Sequence, residues 1–233
     1  MKAIFVTATD TGAGKTTITG LFARYLSEKG FKVATQKWVQ TGSRGFPEDL
    51  SAHLRFMGKD KKAAQDIASY LCPYVFRLAA SPHLACLKEK KSIKKMVIKK
   101  AFRFLCKNFD YVIVEGTGGL LVPFGAKGLI IDIASELKLP VLLVAANRLG
   151  GINHALLACE AVLARKMELL GVIFNTQDTP CHKAVIKDNP LAVKKITGIG
   201  ALGLLPRVKD PELLYRKFIP TAINILKRME RLV

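Results

Sequence analysis

Short runs of consecutive apolar residues recur along the chain, and between them lie longer stretches in which apolar residues return every three or four positions. The short runs are rich in β-branched residues and do not alternate with polar ones, which is typical of strands in a parallel sheet covered on both faces. These patterns predict strands at 3–7, 32–37, 111–116, 140–146, 171–175 and 200–206, and helices at about 15–29, 48–57, 92–107, 132–138, 153–166 and 212–231. Such alternation predicts one α/β domain over residues 1–233, a doubly wound, mostly parallel sheet with helices on both faces.

A glycine-rich turn follows the first predicted strand, at the edge of the sheet where ligands bind in α/β folds. It reads TATDTGAGKTT over residues 7–17, and its end, Gly14-Lys15-Thr16, is typical of a phosphate-binding loop. Thr9 stands where the usual pattern G-x-x-x-x-G-K-[ST] has its first glycine. In this context backbone N–H groups and Lys15 would hold the phosphates of ATP, and Thr16 would coordinate Mg²⁺. The turn therefore predicts a P-loop NTPase-like nucleotide site.

Polar residues and glycines also follow the next four predicted strands. Lys37 ends the second strand and is a candidate second cation for the transferring phosphate. Glu115 is the last residue but one of the third, is followed by glycines at 116, 118 and 119, and fits a Mg²⁺ ligand. A Gly-Gly turn at 150–151 opens a helix whose free N–H groups would attract an anion such as a substrate carboxylate. Asn175 follows the fifth strand, and its amide could both donate to and accept from an adenine edge.

The formal net charge of +19 raises the question of a nucleic-acid partner, because clustered lysine and arginine side chains neutralise phosphates. The densest basic run, residues 88–107, has apolar residues at helical spacing and lysines on the other side. It predicts an ordinary helix with a basic, solvated face. Because no aromatic-rich basic surface or helix-turn-helix pattern accompanies the charge, we expect no nucleic-acid partner.

The remaining composition predicts a cytoplasmic protein without a membrane partner. No apolar run reaches the roughly 18 residues that a membrane span needs, and the chain goes directly into a strand pattern without a cleavable leader. The five cysteines are scattered and contain no C-x-x-C pair, which indicates reduced thiols. The four histidines are equally dispersed and give little support to a histidine metal cluster.

Taken together and in order, these motifs resemble the dethiobiotin synthetase family, ATP-dependent enzymes of the P-loop class in biotin biosynthesis. That family has a phosphate loop one residue longer than the usual pattern, similar to G-T-D-T-G-V-G-K-T. Its first glycine therefore corresponds to position 8 of this chain and not to Thr9. The resemblance covers nearly the whole chain. It continues through Lys37 and Thr41-Gly42, PYVFRLAASPHLA (73–85), VEGTGGLLVP (114–123), LGGINHALL (149–157), GVIFN (171–175) and LGLLP (202–206).

The resemblance implies a complete set of site residues. For ATP it implies Gly12, Ala13, Gly14, Lys15, Thr16, Thr17, Glu115, Gly116, Thr117, Gly118, Asn175, Thr176, Pro206, Arg207, Val208 and Glu212. For Mg²⁺ it implies Thr16, Asp49 and Glu115, with Glu48 as the rival of Asp49. For catalysis it implies Lys37 and Lys15, and for the diamine substrate Thr11, Thr41, Ser81, Gly150, Gly151 and Asn153. The turn at 150–153 would bind the substrate carboxylate across the interface of a homodimer.

The implied reaction is ATP-driven closure of a ureido ring on 7,8-diaminononanoate with CO2. It needs positioned cations around a carbamate and a triphosphate, and no protein nucleophile. Two alternatives stay open at this point. A DNA-binding chromosome-partition ATPase would use the charge, but its loop carries a lysine near the start, where this chain has residues 8–10. A cobyrinate synthase would share the sheet but needs a glutaminase domain that this sequence lacks.

Two residues depart from the family pattern. Ala8 replaces the first loop glycine, so its backbone is expected either to keep a negative φ or to bear strain. Trp38 replaces the proline that usually follows the catalytic lysine, which is expected to affect how Lys37 is presented. Neither change removes a reacting group.

Overall fold

The structure is a computed structural model that describes residues 2–125, 128–176 and 181–232. Its strands are β1 (Lys2–Ala8), β2 (Val33–Lys37), β3 (Val39–Gln40), β4 (Tyr74–Val75), β5 (Tyr111–Glu115), β6 (Val141–Asn147), β7 (Leu169–Thr176) and β8 (Ala201–Leu205). Its α-helices are α1 (Lys15–Glu28), α2 (Glu48–Phe56), α3 (Ala68–Leu71), α4 (Pro82–Lys88), α5 (Lys95–Asn108), α6 (Ile130–Glu136), α7 (Gly151–Leu163), α8 (Lys183–Thr197) and α9 (Pro211–Glu230), with a 3₁₀ helix at Lys61–Ile67.

Six strands form the central sheet in the order β2-β5-β1-β6-β7-β8, and all their pairings are parallel. The predicted doubly wound fold is therefore confirmed. Within the sheet, β2 and β5 lie on one side of β1, whereas β6, β7 and β8 lie on its other side. The direction of strand addition therefore reverses between β1 and β6. The turn after β1 consequently emerges beside the switch point, where ligands bind in such sheets.

Two layers of helices cover the sheet because successive side chains of a strand point to opposite faces. In β1, Ile4 and Val6 pack with α1 and α9, whereas Phe5 packs in the core formed with α5, α6 and α7. Most strand residues are buried on both faces, which agrees with their continuous apolar sequences. Within the residues that the structure describes, no helix is long and apolar enough to cross a membrane.

Several elements were absent from the sequence prediction. Helix α8 has a weak apolar repeat, because it buries only Asn189 and Val193 and contains Pro190. The short helices α3 and α4 and the two-stranded sheet of β3 and β4 are too short for a periodic pattern. Helix α7 begins at Gly151, two residues before the predicted start.

The two departures from the family pattern are accommodated without backbone strain. Ala8 ends β1 as a buried strand residue and does not have a positive φ. The left-handed conformations of the turn occur instead at Gly12 (φ 78°) and Gly14 (φ 106°). Trp38 is buried, stacks on Phe5 with 5.3 Å between ring centroids, and donates a 3.0 Å hydrogen bond from Nε1 to a neighbouring glutamine oxygen.

Candidate active site

The turn after β1 has the backbone geometry of a phosphate-binding loop. Gly14 is the N-terminal cap residue of α1, and no side chain caps the first turn of this helix. The free N–H groups at that end can therefore bind an anion. Asn175 at the end of β7 donates a 2.9 Å hydrogen bond to the Ala13 carbonyl oxygen. A side chain at Gly14 would collide with this amide, because its Cβ would lie 2.3 Å from Asn175 Nδ2.

A cavity of about 570 Å³ lies beside this loop, a size typical of small-molecule sites. It brings together residues from the loop, the end of β7 and the segment after β8. Of the residues predicted to bind ATP, it is lined by Gly12, Gly14, Thr17, Asn175, Thr176, Pro206, Arg207 and Val208. Their roles toward ATP stay predictions.

A cluster of charged side chains lies next to the loop, at the carboxyl edge of β2 and β5. The register of these strands pairs Lys37 with Glu115. Lys37 Nζ lies 2.8 Å from Glu115 Oε1, 2.8 Å from Asp49 Oδ2 and 2.8 Å from the Gly116 carbonyl oxygen. Thr16 Oγ1 donates toward Glu115 Oε1 at 3.0 Å and lies 3.2 Å from Asp49 Oδ1.

Helix α2 determines which acidic side chain reaches this cluster. Glu48 and Asp49 both lie in its first turn, but Glu48 is exposed, whereas Asp49 contacts Lys37 and Thr16. Asp49 is thus the residue placed with Glu115 in the structure.

Burial and mutual attraction together set the charges of the cluster. Burial alone would raise the pKa of the Glu115 carboxyl, but the Lys37 ammonium and a hydrogen bond from His53 hold it well below its usual range. Burial alone would lower the pKa of Lys37, but Glu115 and Asp49 raise it above its usual value. Burial, and then the nearby Lys37 charge, lower the pKa of Lys15 from 10.5 to about 8. All three groups are therefore predominantly ionised at neutral pH.

His53 is a member of this cluster that the sequence analysis missed. Its side chain is fully buried, and its Nε2 lies 2.6 Å from Glu115 Oε2. The four histidines are dispersed along the sequence, and none was predicted to belong to the site. The available signal was that His53 follows Asp49 by four residues in a predicted helix, which places both side chains on one face.

The turn after β5, which was predicted to bind ATP, lies next to segments that carry residues predicted to bind the diamine, namely Thr11, Thr41 and Ser81. Thr117 Oγ1 donates a 2.6 Å hydrogen bond to the Val39 carbonyl oxygen. The Gly42 N–H bonds to the Leu78 carbonyl oxygen at 3.1 Å, which places the segment with Thr41 against the segment that leads to Ser81. Ser81 Oγ lies 3.0 Å from His83 Nδ1. A Cβ at Gly118 would lie 3.6 Å from Thr11 Oγ1, so Thr11 is adjacent to the turn after β5.

The turn before α7 differs in detail from what the sequence suggested. Gly150, with φ 80°, is the cap residue, and Gly151 is the first helical residue. A Cβ at Gly151 would lie 2.7 Å from the Ala146 carbonyl oxygen, so glycine is required there for close packing of α7 on β6. Asn153 is exposed in the first turn of α7, where N–H groups lack a side-chain cap.

Glu212 lies apart from the other residues predicted to bind ATP. Its carboxylate forms a bidentate ion pair with Arg24, at 2.6 Å from Nη1 and 2.9 Å from Nη2. The Arg24 guanidinium also stacks over the Tyr215 ring, 3.8 Å from its centroid. Glu212 lines a separate cavity with Arg24 and not the one lined by residues 206–208. Its predicted contact with adenine stays a prediction.

Comparisons with known proteins point to the same chemistry as the motifs. A family model described as an AAA domain matches residues 2–212. An ATP-dependent dethiobiotin synthetase of Haemophilus influenzae is 40% identical over 174 residues, 75% of this chain and 91% of that protein. The enzyme of Chlorobaculum tepidum is 41% identical over 174 residues, 75% and 72% of the two chains. That of Bacillus cereus is 34% identical over 207 residues, 88% and 84%.

Solved structures with the same fold come from a different class of ATPase. A ParA family ATPase of Chlorobium tepidum superposes with a TM-score of 0.58 over 98% of both chains, at 14% identity. The Pyrococcus furiosus cell division ATPase MinD superposes with a TM-score of 0.54 over 100% of both chains, at 17% identity. At this level of identity the likeness shows the fold alone.

The ion pair of Glu212 generates a prediction about ATP affinity. Because Glu212 lies outside the loop-side cavity and pairs with Arg24 at the surface, Glu212→Gln should change the Kd for ATP by less than about fivefold. Asn175→Ala removes the amide that supports the loop and should weaken ATP binding more strongly. Isothermal titration calorimetry of both variants checks this. Equal losses in the two variants would favour the adenine contact that the resemblance implies.

Proposed function

We propose a function for this chain from its membership of the dethiobiotin synthetase family, which consists of ATP-dependent ligases that form carbon–nitrogen bonds in biotin biosynthesis. In this proposal the chain is a single domain that closes the ureido ring of dethiobiotin from 7,8-diaminononanoate and CO2. The observation that carries this proposal is the cluster of Lys37, Thr16, Asp49 and Glu115 beside an uncapped phosphate loop. Within it, the buried Lys37 ammonium supplies a fixed positive charge where a phosphoryl group would be transferred.

ATP binds through the phosphate loop in this proposal. The N–H groups at the start of α1 and the Lys15 ammonium hold the phosphates, and the adenine side enters the cavity lined by Asn175 and residues 206–208. Lys37 stabilises the charge that develops on the transferring phosphate.

The residues present also fit a magnesium ion. The Thr16 hydroxyl lies within hydrogen-bond distance of both the Asp49 and the Glu115 carboxylate, and hard oxygen donors are the ligands that Mg²⁺ prefers. These three side chains would hold the ion. When bound, it would supply positive charge that neutralises the β- and γ-phosphates.

Ring closure needs positioning more than a protein nucleophile. One amine of the diamine adds to CO2, and the carbamate oxygen attacks the γ-phosphate and releases ADP. The second amine then attacks the carbamoyl carbon and expels phosphate.

The buried thiols take no part, since burial raises the pKa of Cys72 to about 12 and that of Cys159 to about 11. Free thiols also agree with the cytoplasmic location that we propose.

A groove of about 230 Å³ between the phosphate loop and α7 suits the aliphatic chain of the diamine, since it is lined mainly by apolar residues of the segment 119–122 and of α7. Leu157, which lines this groove, is 56% exposed, and Leu149, directly before the cap residue of α7, is 79% exposed. These exposed leucines of α7 and of the turn before it support a homodimer in which this surface is covered. In that dimer the N-terminus of α7 would bind the substrate carboxylate of the partner site.

The proposed function predicts a diamine-dependent ATPase. The purified chain with ATP, Mg²⁺, bicarbonate and 7,8-diaminononanoate should form dethiobiotin, ADP and phosphate in equal amounts, measured by mass spectrometry and a phosphate assay. Omitting the diamine should abolish phosphate release. Duplex DNA in place of the diamine should not stimulate ATP hydrolysis. Stimulation by DNA without any requirement for the diamine would favour the chromosome-partition alternative.

Replacing Lys37 should impair the chemical step specifically. Because Lys37 contributes mainly as phosphoryl charge develops, Lys37→Ala should lower kcat by about 10² or more, with a smaller effect on ATP affinity. Lys99→Ala is the matched control, because Lys99 forms a surface ion pair with Glu136 and lies on α5. Steady-state kinetics with both variants, after circular dichroism has verified folding, gives the comparison. Near-normal turnover of Lys37→Ala would remove this lysine from the mechanism.

The homodimer can be tested by mixing two defective variants. Asn153→Asp keeps the side-chain shape but adds negative charge at the start of α7, so it should raise the KM for the diamine. It also avoids the clash with Ala146 that a larger residue at Gly151 would cause. Mixed with Lys37→Ala under subunit exchange, it should restore up to about a quarter of wild-type activity, since half of the random dimers carry one intact site. Activity no higher than that of the two variants alone, despite exchange, would contradict a shared site.

A further inference from the structure

His53 is a buried histidine that contacts the acidic centre of the site. It lies one turn after Asp49 on α2, so the helix directs both side chains toward the end of β5. Asp49 contacts Lys37 and Thr16, whereas the His53 imidazole reaches the other side of the Glu115 carboxylate. Helix α2 thus supplies two neighbours to one buried cluster.

The two oxygens of Glu115 have different partners. Oε1 accepts hydrogen bonds from Lys37 Nζ at 2.8 Å and from Thr16 Oγ1 at 3.0 Å. Oε2 lies 2.6 Å from His53 Nε2. Since Glu115 is only 1% exposed, water contributes little to its stabilisation, and the protein partners determine the orientation of the carboxylate plane.

The partners of the imidazole determine its tautomer. Glu115 is ion-paired with Lys37 and acts as a carboxylate that can only accept, so the proton of the contact belongs to His53 Nε2. His53 Nδ1 is buried without a hydrogen-bond partner among the described residues. A proton there would leave a buried donor unsatisfied, so these surroundings favour the tautomer protonated on Nε2.

We propose that His53 is a positioning residue that fixes the Glu115 carboxylate, so that Oε1 stays directed toward Lys37 and Thr16. This inference rests on the proposed function. Without the donor on Nε2, the buried Oε2 would lack this partner, and the carboxylate could rotate to present both oxygens to Lys37. Lys37 and the residues that would hold Mg²⁺ would then lose their fixed geometry, as happens when outer partners of ligating groups are removed.

A matched pair of variants separates positioning from packing. The amide nitrogen of Gln can occupy the place of Nε2, whereas that of Asn is one bond shorter and cannot reach Glu115. His53→Asn should lower kcat and raise the Mg²⁺ concentration for half-maximal ATP binding by about tenfold or more, while His53→Gln should stay within about threefold of wild type. Ser51→Ala is the control, because it removes a buried 2.9 Å hydrogen bond on the same helix without touching Glu115.

The measurements are kcat and KM for ATP, ATP binding by calorimetry over a Mg²⁺ series, and the Tm of each variant. The inference is supported if Asn alone impairs kcat and the Mg²⁺ dependence, while Ser51→Ala lowers only the Tm. It is overturned if Asn matches wild type in both readouts, or if Gln is impaired as strongly as Asn. Wild-type turnover of the diamine is a separate result, so a failure of the proposed function would be recognised independently.

A spectroscopic measurement on the unmodified protein applies even if the Asn variant does not fold. With ¹⁵N-labelled histidine, the four imidazoles of the chain can be resolved by NMR, and the spectrum of His53→Gln assigns the resonance of His53. We expect a proton on Nε2 and none on Nδ1. A proton on Nδ1 with an unprotonated Nε2 would overturn the inference, because the imidazole could not then donate to Glu115.

Discussion

The ion pair between Lys37 and Glu115, buried at the carboxyl edge of the sheet, is the interaction on which the rest of the site depends. The two side chains are 5% and 1% exposed. Taking two charges out of water costs several kcal/mol per ion, and their attraction offsets this only when geometry is good and the remaining hydrogen bonds are made. Asp49, Thr16 and His53 make those bonds. The register of β2 on β5, the position of α2 and the start of α1 are therefore mutually constrained.

Features encoded locally could be predicted from the sequence, whereas those created by packing between distant segments could not. Continuous apolar runs identify the six strands of the central sheet. Because the carboxyl ends of parallel strands lie at one edge of a sheet, Lys37 and Glu115 were expected near the phosphate loop. The spacing of Asp49 and His53 places both on one face of a predicted helix, but it does not show that this face meets a carboxylate 62 residues away along the chain. Similarly, position 151 requires glycine because a Cβ there would collide with the Ala146 carbonyl oxygen. This contact arises from the packing of α7 on β6 and cannot be read from the local sequence.

The comparison with the partition and cell-division ATPases separates what the sheet provides from what the side chains provide. In this chain the sheet places the phosphate loop beside its switch point. The partition and cell-division ATPases share the fold, but identities of 14% and 17% carry no information about chemistry. Of the basic run at 88–107, which was predicted as one helix, residues 95–107 lie on α5, which buries its apolar side with Ile98, Phe102 and Leu105. Lys88 instead ends α4, and the residues between the two helices are not helical. On α5, Lys95 and Lys99 pair with Glu136 at the surface.

The stacking of Trp38 on Phe5 gives the molecule an intrinsic optical reporter. Trp38 is the sole tryptophan of the chain, it is buried, and it directly follows Lys37. A Cβ at Gly116 would lie 3.0 Å from the Phe5 ring, so the stacked rings lie beneath the turn whose carbonyl accepts from Lys37. Tryptophan emission is blue-shifted in an apolar environment, and here all of it originates beside the charged cluster. Changes in fluorescence on ligand addition or unfolding can therefore be attributed to this one position without any label.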